Sequence, residues 1–61
     1  MKLAMIGFGQ AGGKVLDKFL EYDKRSGSEI VRAAVAVNSA KADLMGLDHV
    51  PEDNRVLIGQ A

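Results

Sequence analysis

Sixty-one residues is close to the smallest chain that sustains a hydrophobic core unaided, because a domain of this size buries only about 60% of the surface its unfolded form exposes. With no cysteine and a single histidine, disulfide staples and a structural zinc centre are excluded. Eight Lys/Arg against eight Asp/Glu leave a formal net charge of zero, so there is no basic field to draw nucleic acid and no acidic tail for a basic partner.

The first element is Leu3-Ala4-Met5-Ile6, a continuously apolar run closed by Gly7, the pattern of a strand buried on both faces in a parallel sheet. Apolar runs stay far below the roughly 18 residues of a membrane span, and Met1-Lys2-Leu3 leads directly into the strand pattern. The chain therefore reads as cytoplasmic, without membrane insertion. From Gly12 the apolar period lengthens. Val15, Leu16, Phe19 and Leu20 fall on one helical stripe with Lys14, Asp17, Lys18 and Glu21 opposite, which predicts an amphipathic helix of about three turns. Phe19 is expected in the core and Tyr22 at its boundary, while Asp17 and Glu21 read as a solvated face shared with Lys14 and Lys18. Asp23-Lys24-Arg25-Ser26-Gly27-Ser28 is the polar connection expected to end the helix.

Ile30 to Val37 is a second buried strand, halting at Asn38-Ser39. Ser39 is the expected N-cap of a short helix over Ala40-Lys41-Ala42-Asp43-Leu44-Met45, ended by Gly46, with Pro51 blocking continuation. Arg55-Val56-Leu57-Ile58 is the third strand, closed by Gly59. His49, near Asp48, Glu52 and Asp53, reads as a surface-loop residue rather than a metal ligand. Met1, Met5 and Met45 read as gap-fillers. The order is β-α-β-α-β, an α/β class with a parallel, Rossmann-like sheet. Right-handed crossovers place both helices on one face, yet the strands are apolar on both faces. Residues 1–61 are therefore expected to be the N-terminal fragment of a larger domain that covers the second face.

Gly7-Phe8-Gly9-Gln10-Ala11-Gly12 is a G-x-G-x-x-G pattern where a strand gives way to a helix, the context in which it has a mechanism. Gly7 is expected to make the tight turn, Gly9 to let backbone approach an anion, and Gly12 with Gly13 to let the helix pack on the sheet. The N–H groups of Gln10 to Lys14 and the positive end of the helix dipole then favour a phosphate, beside which Lys14 is well placed. The motif leaves the ligand open. A dinucleotide reading requires an acidic residue at the end of the second strand, where this chain has Val37-Asn38-Ser39-Ala40 and no carboxylate until Asp43. Gly7-Phe8-Gly9 and Ala36-Val37-Asn38 resemble the phosphorylating aldehyde dehydrogenases of glycolysis, which carry aspartate where Ser39 stands. The alternative is thus the N-terminal half of an NAD-binding Rossmann domain of a dehydrogenase, and a small module that binds nothing is a third reading.

A closer resemblance covers the whole chain. Met5 to Lys14, Ala36 to Leu44, and Arg55-Val56-Leu57-Ile58-Gly59 resemble the two nucleotide loops and third strand of the tubulin/FtsZ superfamily, specifically its archaeal tubulin-like CetZ members. Gly9-Gln10-Ala11-Gly12 is similar to the glycine-glutamine signature of tubulins. The resemblance implies a Rossmann-like GTPase domain in which Gly9, Gln10, Ala11, Gly12, Gly13 and Lys14 contact the phosphates of GTP or GDP, with Gln10 close to the phosphates or their Mg²⁺. It implies that Asn38, Ser39 and Lys41 lie near the terminal phosphate. Ala40 stands where relatives carry an acidic residue. The family's later glycine-rich loop, base-recognising residues and acidic loop are not in this sequence. The resemblance therefore implies a GTPase that shapes cells by self-association into protofilaments when intact, and a 61-residue unit that neither hydrolyses GTP nor polymerises alone. No catalytic residue is assigned: Ser39 lies outside any G-x-S-x-G and has no triad histidine.

Overall fold

The computed structural model describes residues 2–59, and the reading of Met1 lies outside the described residues. In chain order the elements are β1 (Leu3–Phe8), α1 (Gly9–Ser26), β2 (Val31–Asn38), α2 (Lys41–Met45), a 3-10 turn at Glu52–Asn54, and β3 (Arg55–Leu57). The strands form one parallel sheet in the order β1-β2-β3, with Phe8, Val37 and Val56 in register across it. Helix α1 packs on β1 and β2, α2 packs on β2 and β3, and the two helices touch each other. The expected Rossmann-like β-α-β-α-β arrangement is what the chain adopts.

The core lies between helices and sheet. Leu16 of α1, Ala34 and Ala36 of β2, Leu44 of α2, and Leu47 and Val50 of the α2–β3 connection are buried together, with Met5, Leu20 and Val31 against them. Alanine on the central strand lets both helices come close. The opposite sheet face is uncovered: Ile6 is 62% exposed and Phe8 67% exposed, and Val56 and Ile58 also face outward. On β1 and β2 the apolar residues thus have one packed and one open side, whereas Val56 and Leu57 of the short edge strand β3 are both exposed.

Helix α1 is longer than its apolar stripe suggests. It spans 18 residues and runs through Asp23-Lys24-Arg25-Ser26 before Gly27, at φ 72, turns the chain and donates its N–H to the Lys24 carbonyl. Asp23 is the reason. Its carboxylate is buried and accepts the N–H of Ile30 at 2.9 Å and of Val31 at 3.1 Å, so a residue that reads as loop is the anchor for the start of β2. Lys24 and Arg25 in the last turn also suit the negative end of the helix. The buried line of α1 is Gly13, Leu16, Leu20 and Asp23, which turns Val15, Phe19 and Tyr22 outward. Phe19 is accordingly on the flank rather than in the core, and Tyr22 is exposed.

Asp17 departs most from its expected solvated role. Its Oδ1 accepts the backbone N–H of His49 at 2.6 Å and those of Asp48 and Val50 at 3.1 Å. Partial burial pushes the Asp17 carboxyl up, but these N–H donors and the nearby His49 outweigh it and hold its pKa below the ordinary 3.8. A carboxylate with a lowered folded-state pKa contributes stability that is fully present above its unfolded value and is lost as pH falls through the folded one. Acid is therefore expected to release residues 48–50 from α1 only below pH 3.8, read as loss of amide protection at those residues. Loosening already complete at pH 5 would contradict it.

Candidate functional site

The site is built at the carboxyl edge of the sheet, where ligands of open α/β sheets bind. β1 passes straight into α1 at Gly9, whose φ is 74. The N-cap position is Phe8, no side chain among the described residues caps the helix, and the first turn has no acidic residue. The leading N–H groups of an 18-residue helix thus meet the sheet edge with their partial positive charge uncompensated.

The glycines divide the labour differently from the sequence reading. The left-handed turn belongs to Gly9, and apart from its chain neighbours and the backbone of its own helix turn, no heavy atom among the described residues lies within 4 Å of a Cβ added there. Gly7 instead marks a close approach: a Cβ there would stand 2.5 Å from the Gly12 carbonyl oxygen. Gly12 reciprocates, an added Cβ there lying 3.4 Å from the Gly7 carbonyl carbon, and at buried Gly13 an added Cβ would lie 3.7 Å from the Leu47 methyls. Helix and strand meet backbone to backbone, with open space in front of Gly9. Gln10, Ala11 and Lys14 are exposed.

The second loop leaves the neighbouring strand at the next register position, since Phe8 pairs with Val37. Asn38 organises it. Its Oδ1 accepts the Ala40 N–H at 2.9 Å, its Nδ2 donates to Asp43 Oδ2 at 3.3 Å, and its carbonyl accepts the Ile58 N–H at 2.9 Å. The N-cap position of α2 is Ala40, without a side-chain bond, so Ser39 is not the cap and Asn38 takes over the task of holding the turn. Ser39 and Lys41 are exposed. Gly59, at φ 73, comes against Ser39, where an added Cβ would be 3.8 Å from the serine Cβ.

Gly9 to Lys14 and Asn38 to Lys41 are therefore brought to one edge from adjacent strands. The contributions differ in kind. Gly9, Gln10, Ala11 and Gly12 offer helix-terminal backbone, Lys14 and Lys41 offer cations, Ser39 a hydroxyl, while Gly13 and Asn38 work from behind as spacer and loop brace. Sequence reasoning missed Asp17 and Asp23, whose partners are backbone amides with no residue signature. Gly59 carried a signal, because it closes β3 beside this edge as Gly9 closes β1.

No family model matches the chain. Over all 61 residues it is 75% identical to the tubulin-like protein CetZ1 of Haloferax volcanii, covering 15% of that protein. It is 56% identical to CetZ4 of the same organism, covering 16% of it, and 39% identical to the tubulin-like protein CetZ of Pyrococcus abyssi, covering 14%. In structure it is similar to CetZ1 from Haloferax volcanii solved as a GDP-bound monomer, with a TM-score of 0.95 and 77% identity over 98% of this chain and 18% of that one. The chain spans about 15% of the length of the curated relatives it matches.

Proposed function

The chain belongs to the tubulin-like CetZ family, and from that membership we propose that Gly9, Gln10, Ala11, Gly12, Gly13 and Lys14, with Asn38, Ser39 and Lys41, form the phosphate-binding part of a guanine-nucleotide site. One observation carries the reading: the uncapped start of α1, at a positive-φ glycine, faces open space beside the second loop. A diphosphate or triphosphate placed there accepts the leading N–H groups and neutralises the helix end. Lys14 and Lys41 add charge from either side. The relative solved with GDP supports the guanine nucleotide over NAD, as does Ser39 at the place where a ribose-binding carboxylate would be needed.

We propose Mg²⁺ as the companion of the nucleotide. Asp43 is the carboxylate of the second loop and Asn38 already holds it, so Mg²⁺ at this edge would rest on phosphate oxygens and water with the Gln10 amide beside them. There it would spread the negative charge of the phosphates. We propose that the full-length protein is a cytoplasmic GTPase that self-associates into protofilaments and acts in cell-shape control. Among the described residues no helix is long and apolar enough to cross a membrane. The loops described here bind nucleotide and are not expected to hydrolyse it by themselves.

Native mass spectrometry of the purified full-length protein tests this. The expected spectrum shows a GDP or GTP mass that exchanges with added nucleotide. A retained NAD mass, or no uptake of GDP at micromolar concentrations, would overturn the assignment.

A further inference from the structure

The α2–β3 connection is held by side chains from both sides. Three successive N–H groups, those of Asp48, His49 and Val50, converge on the Asp17 carboxylate of α1. From the other side Arg55 of β3 donates its Nη2 to the Leu47 carbonyl at 2.9 Å and its Nε to the Val50 carbonyl at 3.0 Å. An anion seated in a nest of consecutive backbone N–H groups makes charge-assisted bonds, roughly twice as strong as neutral ones. Inside this clasp Leu47 and Val50 are buried in the core, and Leu47 lies on Gly13.

What the clasp controls follows from the size of α2. Five residues are too few for a helix to hold itself in place. Its start is braced by Asn38, and its end leads directly through Gly46 into the clasped Leu47. We infer that Asp17 is a positioning residue: with Arg55 it fixes the α2–β3 connection on α1, and thereby sets where Ser39 and Lys41 stand relative to the first turn of α1. Its consequence for nucleotide affinity rests on the function proposed above. Its consequence for the second loop does not.

The test is amide hydrogen exchange on the full-length protein, with GDP affinity measured alongside. In Asp17→Ala the amides of residues 48–50 are expected to lose protection, and the Ala40 amide, bonded to Asn38 on the far side of α2, is expected to exchange about tenfold faster. The β1–β2 ladder should stay protected. GDP affinity should fall about three- to tenfold although Asp17 lies outside the phosphate loops, within the range by which residues remote from a ligand modulate binding. Asp17→Asn retains an acceptor without the charge and should show the same pattern at smaller size, which also serves if the alanine variant does not fold. Changes confined to residues 48–50, with Ala40 exchange unaltered in both variants, would overturn the inference. Failure of the wild type to bind GDP would instead sink the nucleotide reading, while Ala40 exchange would still decide the role of Asp17.

Discussion

Valine in place of Gly9 is expected to abolish guanine-nucleotide binding by the full-length protein, a loss of at least about a hundredfold in affinity, or about 2.7 kcal/mol. Two effects combine. Gly9 has φ 74, a conformation that costs an L-residue roughly 1–2 kcal/mol and a β-branched one more. Relief of that strain pulls the turn away from the geometry that aims the leading N–H groups. The second effect is occupancy. Beyond its chain neighbours and its own helix turn, no described residue lies within 4 Å of a Cβ at Gly9, so the new side chain is expected to stand in the space assigned to phosphate. Its Cβ meets no other element of the fold, so the variant is expected to remain folded. Titration calorimetry with GDP reads the result, and unchanged affinity would rule out the loop assignment.

Alanine in place of Gly7 is expected to fail in a different measurement. Its Cβ would stand 2.5 Å from the Gly12 oxygen, 2.9 Å from the Gly12 carbonyl carbon and 3.2 Å from Leu16 Cβ. Two of those three atoms are helix backbone, which cannot step aside as a flexible side chain can. The conformation of Gly7 is not at issue, since its φ is not positive. The cost is overpacking between β1 and α1, about 3 kcal/mol. Such a loss is a large share of the 5–15 kcal/mol that typically separates folded from unfolded states. Denaturant titration should show the midpoint fall with little change in slope. A midpoint within error of wild type would mean that strand and helix are farther apart than described here.

The element order and the parallel sheet were legible in the sequence because they rest on local periodicity, and the bare sheet face followed from them through the handedness of the crossovers. Runs such as Ile30 to Val37 show no alternation, and the switch to helical spacing after Gly12 is unambiguous. The glycine pattern located the site edge but not the task of each glycine: which one turns and which one packs depends on the angle at which α1 leaves β1. Polar residues with distant partners were the least legible. Asp17 and Asp23 both look like ordinary solvated aspartates, yet each collects backbone N–H groups from a segment that follows it. Ser39 stands directly before the expected helix, but Asn38, one position earlier and with comparable capping propensity, has the reach to hold the Ala40 N–H and Asp43 together. Phe19 misled because a helix has more apolar residues than its buried line can take, and Leu20 took the place.

The order β1-β2-β3 also governs how the chain assembles. Consecutive strands pair, but none through a hairpin, since each parallel pairing must wait for a helix and a connection to be laid across the sheet. Closing such loops costs chain entropy before any ladder bond returns it, which slows folding. The link from α1 to the start of β2 is short, running from Asp23 to Ile30 and Val31, seven and eight residues on. That junction can close as soon as α1 has formed, delivering β2 to the helix before β1 is in place. Asp23 is therefore expected to act on the pace of folding as well as on its end point, and a substitution there should register in the refolding rate.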